Sequence, residues 1–261
     1  MRAAVLGRPI AYSRSPALHR AAYAALGLDW TYDALDCGES DLPALLDGLG
    51  SDWAGLSLTM PLKQAVLPLL DWCSPLARDV AAANTVVLTG GQRHGHNTDV
   101  AGIVAALAEH GIVSARRAVV LGGGATARSA LAALAQLGCT DPVLVVRSPP
   151  VDTLVAAERL GVTPAVVALS PVQSLASVLA GCELLVSTLP AGAADACAPY
   201  VRDVPALLDV VYDPWPTPLA AACRGVVVSG ALMLLHQAAA QVELMTGRPA
   251  PVEAMRAALK A

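Results

Sequence analysis

Lysine is almost absent from this chain. Of 17 cationic side chains only two are lysines, Lys63 and Lys260, and all the others are arginine. Lys63 stands in "SLTMPLKQAV", just after a Thr-x-Pro turn. Arginine stays protonated at any workable pH, whereas lysine gives up a proton and shifts its pKa readily on burial. A lysine in a chain that otherwise writes positive charge as arginine therefore points to a site that passes a proton to a substrate oxygen. The competing reading is a solvated surface charge, and the rest of the sequence has to separate the two.

A second stretch carries recognisable chemistry. "VVLGGGATARSA" fits G-x-G-x-x-A through Gly122, Gly124 and Ala127, with a strand-like run before it and a helix-like run after it. Glycines let the backbone approach a pyrophosphate, and the helix N-terminus offers it free N–H groups. The alternative is a tight strand–helix turn with no ligand. The candidate cofactor residues here are Gly122, Gly123, Gly124, Ala125 and Thr126. The next strand, "PVLVVRS", ends at Arg147 and Ser148, with no carboxylate before Asp152. An acidic residue there would select the ribose hydroxyl of NAD, and a guanidinium suits the 2′-phosphate of NADP. NADP is expected.

Bulk properties limit what the scaffold can be. The chain has 261 residues, enough for one large or two modest domains. It is 55% hydrophobic with no Phe, so its core must be aliphatic. A net charge of −4 without a basic block argues against nucleic acid. The most apolar run, "VVVSGALMLLHQAAAQVELM", is broken by Gly230, His236, Gln237, Gln241 and Glu243, which argues against a membrane span. The first residues lack a signal-peptide layout. Six cysteines, at 37, 73, 139, 182, 197 and 223, show neither CxxC nor metal-ligand spacing. They read as small buried residues in a reducing compartment, with no metal. A soluble cytoplasmic protein is expected.

The elements alternate. "RAAVLG" reads as a strand and "SPALHRAAYAALG" as a helix, capped by Ser15, with Pro16 in its first turn and Gly27 at its end. "WTYDALD" and "WAGLSLT" read as strands around a helical "DLPALLDGL", and a helix is expected from Pro61 to Leu70. "ANTVVLTGGQRHGHNTD" reads as two strands around Gly90-Gly91. A helix from Asp99 leads into a second α/β series, whose continuous Val and Leu runs suit parallel strands buried on both faces. The final helices are "ALMLLHQAAAQVELMTG" and "PVEAMRAALK".

Six stretches in this order resemble the shikimate dehydrogenase family: "GRPIAYSRSPALH", "SLTMPLK", "AANTVV", "GHNTDVAG", "DVVYDPWPTPL" and "SGALMLLHQA". The resemblance implies an α/β substrate domain (1–99 with 237–261) and a Rossmann-like, doubly wound NADP-binding domain (100–236), with the ligand cleft between them. It implies that Ser13 and Ser15 bind the substrate carboxylate. Thr59, Lys63, Asn84, Asp99 and Gln237 would line a hydroxyl-bearing ring, with Tyr212 near its rim and Val210 and Gly230 beside the cofactor. Taken singly these residues have plainer readings: Ser15 and Asp99 as helix caps, Thr59 and Asn84 as turn residues, Gln237 as a helix surface residue. The resemblance further implies that Lys63 and Asp99 form the catalytic pair in the reversible, NADPH-dependent reduction of 3-dehydroshikimate to shikimate. The protein would be a monomer or homodimer.

Three positions depart from the family's common pattern. Tyr12 stands where His is common, Ala125 where a further Gly is common, and Val146 where Asn is common. The last two bear on cofactor affinity. A quinate or dual quinate/shikimate dehydrogenase, and a non-catalytic NADP-binding regulator, are the alternatives.

Overall fold

A computed structural model describes residues 1–260, which divide into two compact units. One comprises Met1–Gly102 and the chain from Leu234 onward; the other is Ile103–Met233.

The first unit contains β1 (Arg2–Gly7), α1 (Ser15–Ala25), β2 (Thr31–Asp36), α2 (Leu42–Asp47), β3 (Trp53–Leu58), α3 (Leu62–Ala65), β4 (Trp72–Cys73), α4 (Pro75–Asp79), β5 (Thr85–Thr89) and β6 (Gln92–His96). The helix α5 (Asp99–Ala108) leaves it. Its six-stranded sheet runs β2-β1-β3-β5-β6-β4. β1 is parallel to β2 and β3, and β5 is antiparallel to β3 and β6. Gly90 and Gly91 both have positive φ, 59° and 78°, as a two-residue hairpin turn matching the strand twist requires. β3 lies mid-sheet with all six residues buried, and Leu56 and Leu58 join Leu6, Leu42, Leu62 and Val86 in an aliphatic core.

Two local expectations are corrected here. The helix expected from Pro61 to Leu70 is a single turn, α3, followed by a 3₁₀ turn at Leu67–Leu69. Pro68 has no N–H to return to the Gln64 carbonyl, so the α-helical ladder stops before it. Ser15 does not cap α1; it is the first helical residue, and its N–H donates to Ser13 Oγ at 3.3 Å. Gly27, with φ of +66°, does end that helix.

The second unit contains β7 (Ala118–Leu121), α6 (Ala125–Gln136), β8 (Val143–Val146), α7 (Val151–Arg159), β9 (Ala165–Ala168), α8 (Leu175–Val178), β10 (Leu184–Ser187), β11 (Ala206–Asp209), α9 (Pro218–Ala222) and β12 (Val226–Ser229). All its strands are parallel, in the order β12-β11-β10-β7-β8-β9. The direction of winding reverses between β7 and β10, as in the doubly wound Rossmann arrangement. β7, β10 and β11 are wholly buried, as continuous apolar runs suggest. The edge strands β9 and β12 are not, because each has a neighbour on one side only. The chain returns to the first unit through α10 (Gly230–Thr246) and ends in α11 (Val252–Lys260), which packs on α1. All six cysteines are free, four of them buried. Among the described residues no helix is long and apolar enough to cross a membrane.

Candidate active site

Parallel strands β1 and β3 end side by side, and the loops that follow them meet. Arg8 N–H donates to the Met60 carbonyl at 3.0 Å, and Thr59 N–H to the Leu6 carbonyl at 2.9 Å. A Cβ on Gly7 would strike the Thr59 methyl group, so glycine is needed for this approach. The first loop carries Ser13 and Ser15, the second Thr59. The Thr59 carbonyl accepts from Leu62 N–H at 2.8 Å, which turns the chain into α3 and sets the direction of Lys63. The Lys63 carbonyl in turn accepts from Ala83 N–H at 2.8 Å, tying α3 to the segment that enters β5.

Lys63 is not a solvated surface charge. Its Nζ lies 2.6 Å from Asp99 Oδ2, with side-chain exposures of 14% and 4%. Removing one member of so buried a pair would strand the other charge. Asp99 opens α5 but is not spent as its cap: Asn97 Oδ1 accepts from Val100 N–H at 3.3 Å instead, leaving the carboxylate for Lys63. The second carboxylate oxygen, Oδ1, accepts from Asn84 Nδ2 at 2.9 Å. Asn84, just before β5, is fully enclosed, so it is not a plain turn residue. Thr98 N–H donates to its Oδ1 at 2.8 Å. A backbone N–H can only donate, so the amide oxygen must face Thr98 and the NH₂ must face Asp99. Gln237 of α10, expected on a helix surface in its plainer reading, is buried, and its Oε1 lies 3.2 Å from Asn84 Nδ2.

Lys63, Asn84, Asp99 and Gln237 are thus joined in one hydrogen-bonded cluster, although 174 positions separate the first from the last. Ser13 and Ser15 form a separate turn, joined to each other by the Ser15 N–H. Tyr212 belongs to the second unit. What the first unit offers chemically is an ammonium and a carboxylate in contact, one side of the pair part-exposed, surrounded by uncharged donors and acceptors. Such a pair can stabilise and protonate an alkoxide, or deprotonate an alcohol.

In the second unit the glycine loop joins β7 to α6. Its three glycines differ. Gly122 has φ of +111°, and a Cβ there would meet Thr188 Oγ1. A Cβ on Gly123 would lie 2.9 Å from Pro150 Cβ and 3.0 Å from Val146 Cγ1. Packing within the protein therefore requires these two glycines. Gly124 is exposed, its φ of −94° suits any residue, and a Cβ there would meet nothing within 4 Å. The loop leaves open space at Gly124, and Gly124, as the N-cap of α6, has no side chain with which to cap the helix. That combination fits the pyrophosphate of a dinucleotide. Ala125 and Thr126 form the first turn of α6, and Arg147 and Ser148 stand exposed directly after β8. Gly230 packs directly on the Val210 backbone, where a Cβ would collide. The loop from Val210 past Tyr212 is braced by Asp209, which is buried and accepts from Thr217 Oγ1 at 2.7 Å and Val211 N–H at 3.3 Å. Burial pushes the Asp209 carboxyl above its ordinary range.

Reasoning from sequence missed the groups that hold the cluster: Thr98, Thr85, Ser57 and Gln241. Ser57 and Thr85 are common residues in strands, Gln241 lies within a helix, and Thr98 is in the short link between β6 and α5. Gln241, an amide breaking an apolar helix pattern four residues after Gln237, left a signal, and Thr85 and Thr98 stand in the two Asn-Thr stretches "AANTVV" and "GHNTDVAG", though neither was singled out.

The chain's relatives agree with this architecture. A family model described as the shikimate dehydrogenase substrate binding domain matches residues 5–86, and one described as the shikimate 5'-dehydrogenase C-terminal domain matches residues 230–260. The shikimate dehydrogenase (NADP(+)) of Halobacterium salinarum is 38% identical over 98% of this chain and 97% of its own length. The crystal structure of Mycobacterium tuberculosis shikimate dehydrogenase superposes with a TM-score of 0.91 at 47% identity, covering 99% of this chain and 98% of that one. The Thermus thermophilus shikimate 5-dehydrogenase, solved in complex with NADP(H) and shikimate, gives 0.85 at 33% identity, covering 100% and 98%. With curated relatives more than a third identical along nearly its whole length, the chain belongs to the shikimate dehydrogenase family.

Proposed function

We propose that this chain is an NADP-dependent shikimate dehydrogenase, an oxidoreductase that interconverts 3-dehydroshikimate and shikimate on the route to chorismate and the aromatic amino acids. The observation that carries the proposal is the buried Lys63–Asp99 pair, held by Asn84, in a chain whose relatives bear this activity along their full length.

In the reducing direction NADPH supplies the hydride when bound at the glycine loop. Lys63 Nζ faces the developing alkoxide oxygen, stabilises it and delivers the proton. Asp99 holds the ammonium in line and accepts from the hydroxyl of the ring. In the oxidising direction the same pair removes the hydroxyl proton. Ser13 and Ser15 hold the substrate carboxylate through neutral donors. Thr59, Asn84, Gln237 and Tyr212 supply donors and acceptors to a polyhydroxylated ring without adding charge. Gly122, Gly123, Gly124, Ala125 and Thr126 would hold the pyrophosphate of NADP, Arg147 and Ser148 would hold its 2′-phosphate, and Val210 and Gly230 would stand beside its nicotinamide end. Six free cysteines support a reducing, cytoplasmic setting.

Reduction of NADP+ and NAD+, each with shikimate and with quinate, tests the proposal. Shikimate with NADP+ should give the highest kcat/KM, and Arg147→Ala should raise KM for NADP+ while leaving that for NAD+ alone. Preference for quinate would assign the sister activity, and NADPH binding without turnover of either substrate would make the chain a regulator.

A further inference from the structure

Behind Asn84 lies a run of buried side chains whose hydrogen bonds can be assigned a direction from fixed points. Gln241, on α10, is 1% exposed. Its Nε2 lies 3.1 Å from the Asn84 carbonyl and 3.0 Å from Thr85 Oγ1. A carbonyl can only accept, so the NH₂ of Gln241 must face it and the amide oxygen must point the other way. That oxygen accepts from Ser57 Oγ at 2.8 Å. Ser57, its proton used, accepts from Tyr32 O–H at 2.6 Å. Tyr32 is itself held at the far end, stacked on His19 with ring centroids 3.9 Å apart.

The other direction leads to the candidate catalytic pair. Thr85 Oγ1 accepts from Gln241, which leaves its own proton for Asn84 Oδ1 at 2.9 Å. Thr98 N–H donates to the same oxygen. With its oxygen held from both sides, Asn84 presents its NH₂ to Asp99 Oδ1, and Asp99 Oδ2 meets Lys63. Each donor thus points one step closer to the carboxylate, the arrangement in which hydrogen bonds polarise one another.

We propose that Gln241 is a positioning residue for the dehydrogenase reaction. By committing the Thr85 hydroxyl to Asn84, it fixes the amide that orients Asp99 and, through Asp99, Lys63. The inference rests on the shikimate dehydrogenase reading above. Gln241 stays out of contact with the reacting atoms, and Asn84 is only one of several groups that hold the ring, so loss of Gln241 should act on turnover more than on binding. A side chain that merely pinned α10 to the sheet would, when lost, lower thermal stability and leave kcat untouched well below the melting temperature.

The test is steady-state kinetics of Gln241→Met, which keeps the length of the side chain and removes both its donors and its acceptor. With shikimate and NADP+, kcat should fall about tenfold, the scale of a sub-ångström misplacement of a reacting group. Both KM values should stay within about twofold of wild type. Thr85→Val, which removes the one hydroxyl linking Gln241 to Asn84, should give the same split. The double variant should be no worse than either single one, because two links in series fail together. An unchanged kcat in Gln241→Met, or losses that multiply in the double variant, would overturn the inference. If Gln241→Met does not fold, Thr85→Val decides alone: unchanged kcat overturns it. A wild-type chain with no shikimate turnover overturns the proposed function and this inference together, whereas an active wild type beside unimpaired variants overturns the inference alone.

Discussion

The two units hold their candidate functional groups by opposite means. In the first, the groups are side chains oriented by other side chains: Lys63 by Asp99, Asp99 by Asn84, and Asn84 by Thr98 and Thr85. In the second, the groups are backbone amides made reachable by the absence of a side chain at Gly124. The difference follows from the ligands proposed for them. A hydroxylated ring is told from its analogues by where its donors and acceptors lie, and a site reads that only with side chains of fixed direction. A pyrophosphate needs negative charge met at close range, which a helix N-terminus supplies without any particular side chain. The first unit should therefore be sensitive to changes in side-chain chemistry at constant charge. The second should be sensitive to added bulk at constant chemistry.

The sharpest way to break this contrast is Lys63→Arg. The charge is kept, while the group becomes larger, planar and unable to exchange its proton near neutral pH. We expect kcat for shikimate to fall by about 10²-fold or more, the usual range for loss of a general acid–base. KM should move much less. Near wild-type kcat in a folded variant would show that charge alone suffices and would remove Lys63 from proton transfer.

The contrast extends to acid stability. Burial lowers the His19 pKa to about 4, from an ordinary value of 6.5. Below pH 6.5 the unfolded chain takes up a proton that the folded imidazole refuses, so stability is full above that pH and declines as pH falls toward 4. Integrated over that window, the loss is roughly 3 kcal/mol. His96, half-buried and also lowered, works in the same direction. In the second unit, Asp209 has the opposite sign. Its carboxyl is held above the ordinary range, so its contribution is complete in acid and declines as pH rises through that range. Hydrogen exchange followed from pH 7 to pH 4.5 should show protection falling first in β1, β2 and α1. Replacement His19→Gln should flatten that fall. Earlier loss in β7, β10 and β11 would reverse the assignment.

The smallest effect separates two glycines of one loop. Gly124→Ala should melt as wild type does, since its backbone is ordinary and its surroundings are open. It should still raise KM for NADP+ about tenfold, equivalent to about 1.4 kcal/mol, by crowding the pyrophosphate. Gly122→Ala should lower the melting temperature instead, through its positive φ and its contact with Thr188. Should Gly124→Ala bind NADP+ normally, the loop is only a turn.

The chain's own letters determined a good deal. Alternating strand and helix runs, the Gly90-Gly91 hairpin, the strand–glycine loop–helix unit and the aliphatic core follow from local propensity and periodicity, which neighbouring residues suffice to express. The rarity of lysine made Lys63 conspicuous before any fold was known. The tertiary structure decided the rest. The edge positions of β9 and β12 left exposed runs that read as buried, because burial depends on having a neighbour and not on composition. Above all, Gln241 and Ser57 are 184 positions apart and meet at 2.8 Å. Ser57 carries no local pattern that marks it, and the breaks in pattern at Thr85 and Gln241 do not say what either residue meets, since a hydrogen bond between distant segments leaves no period in either one. Their role arises only when α10 returns to lie against β3 and β5 and its amide finds acceptors and donors already fixed by the backbone.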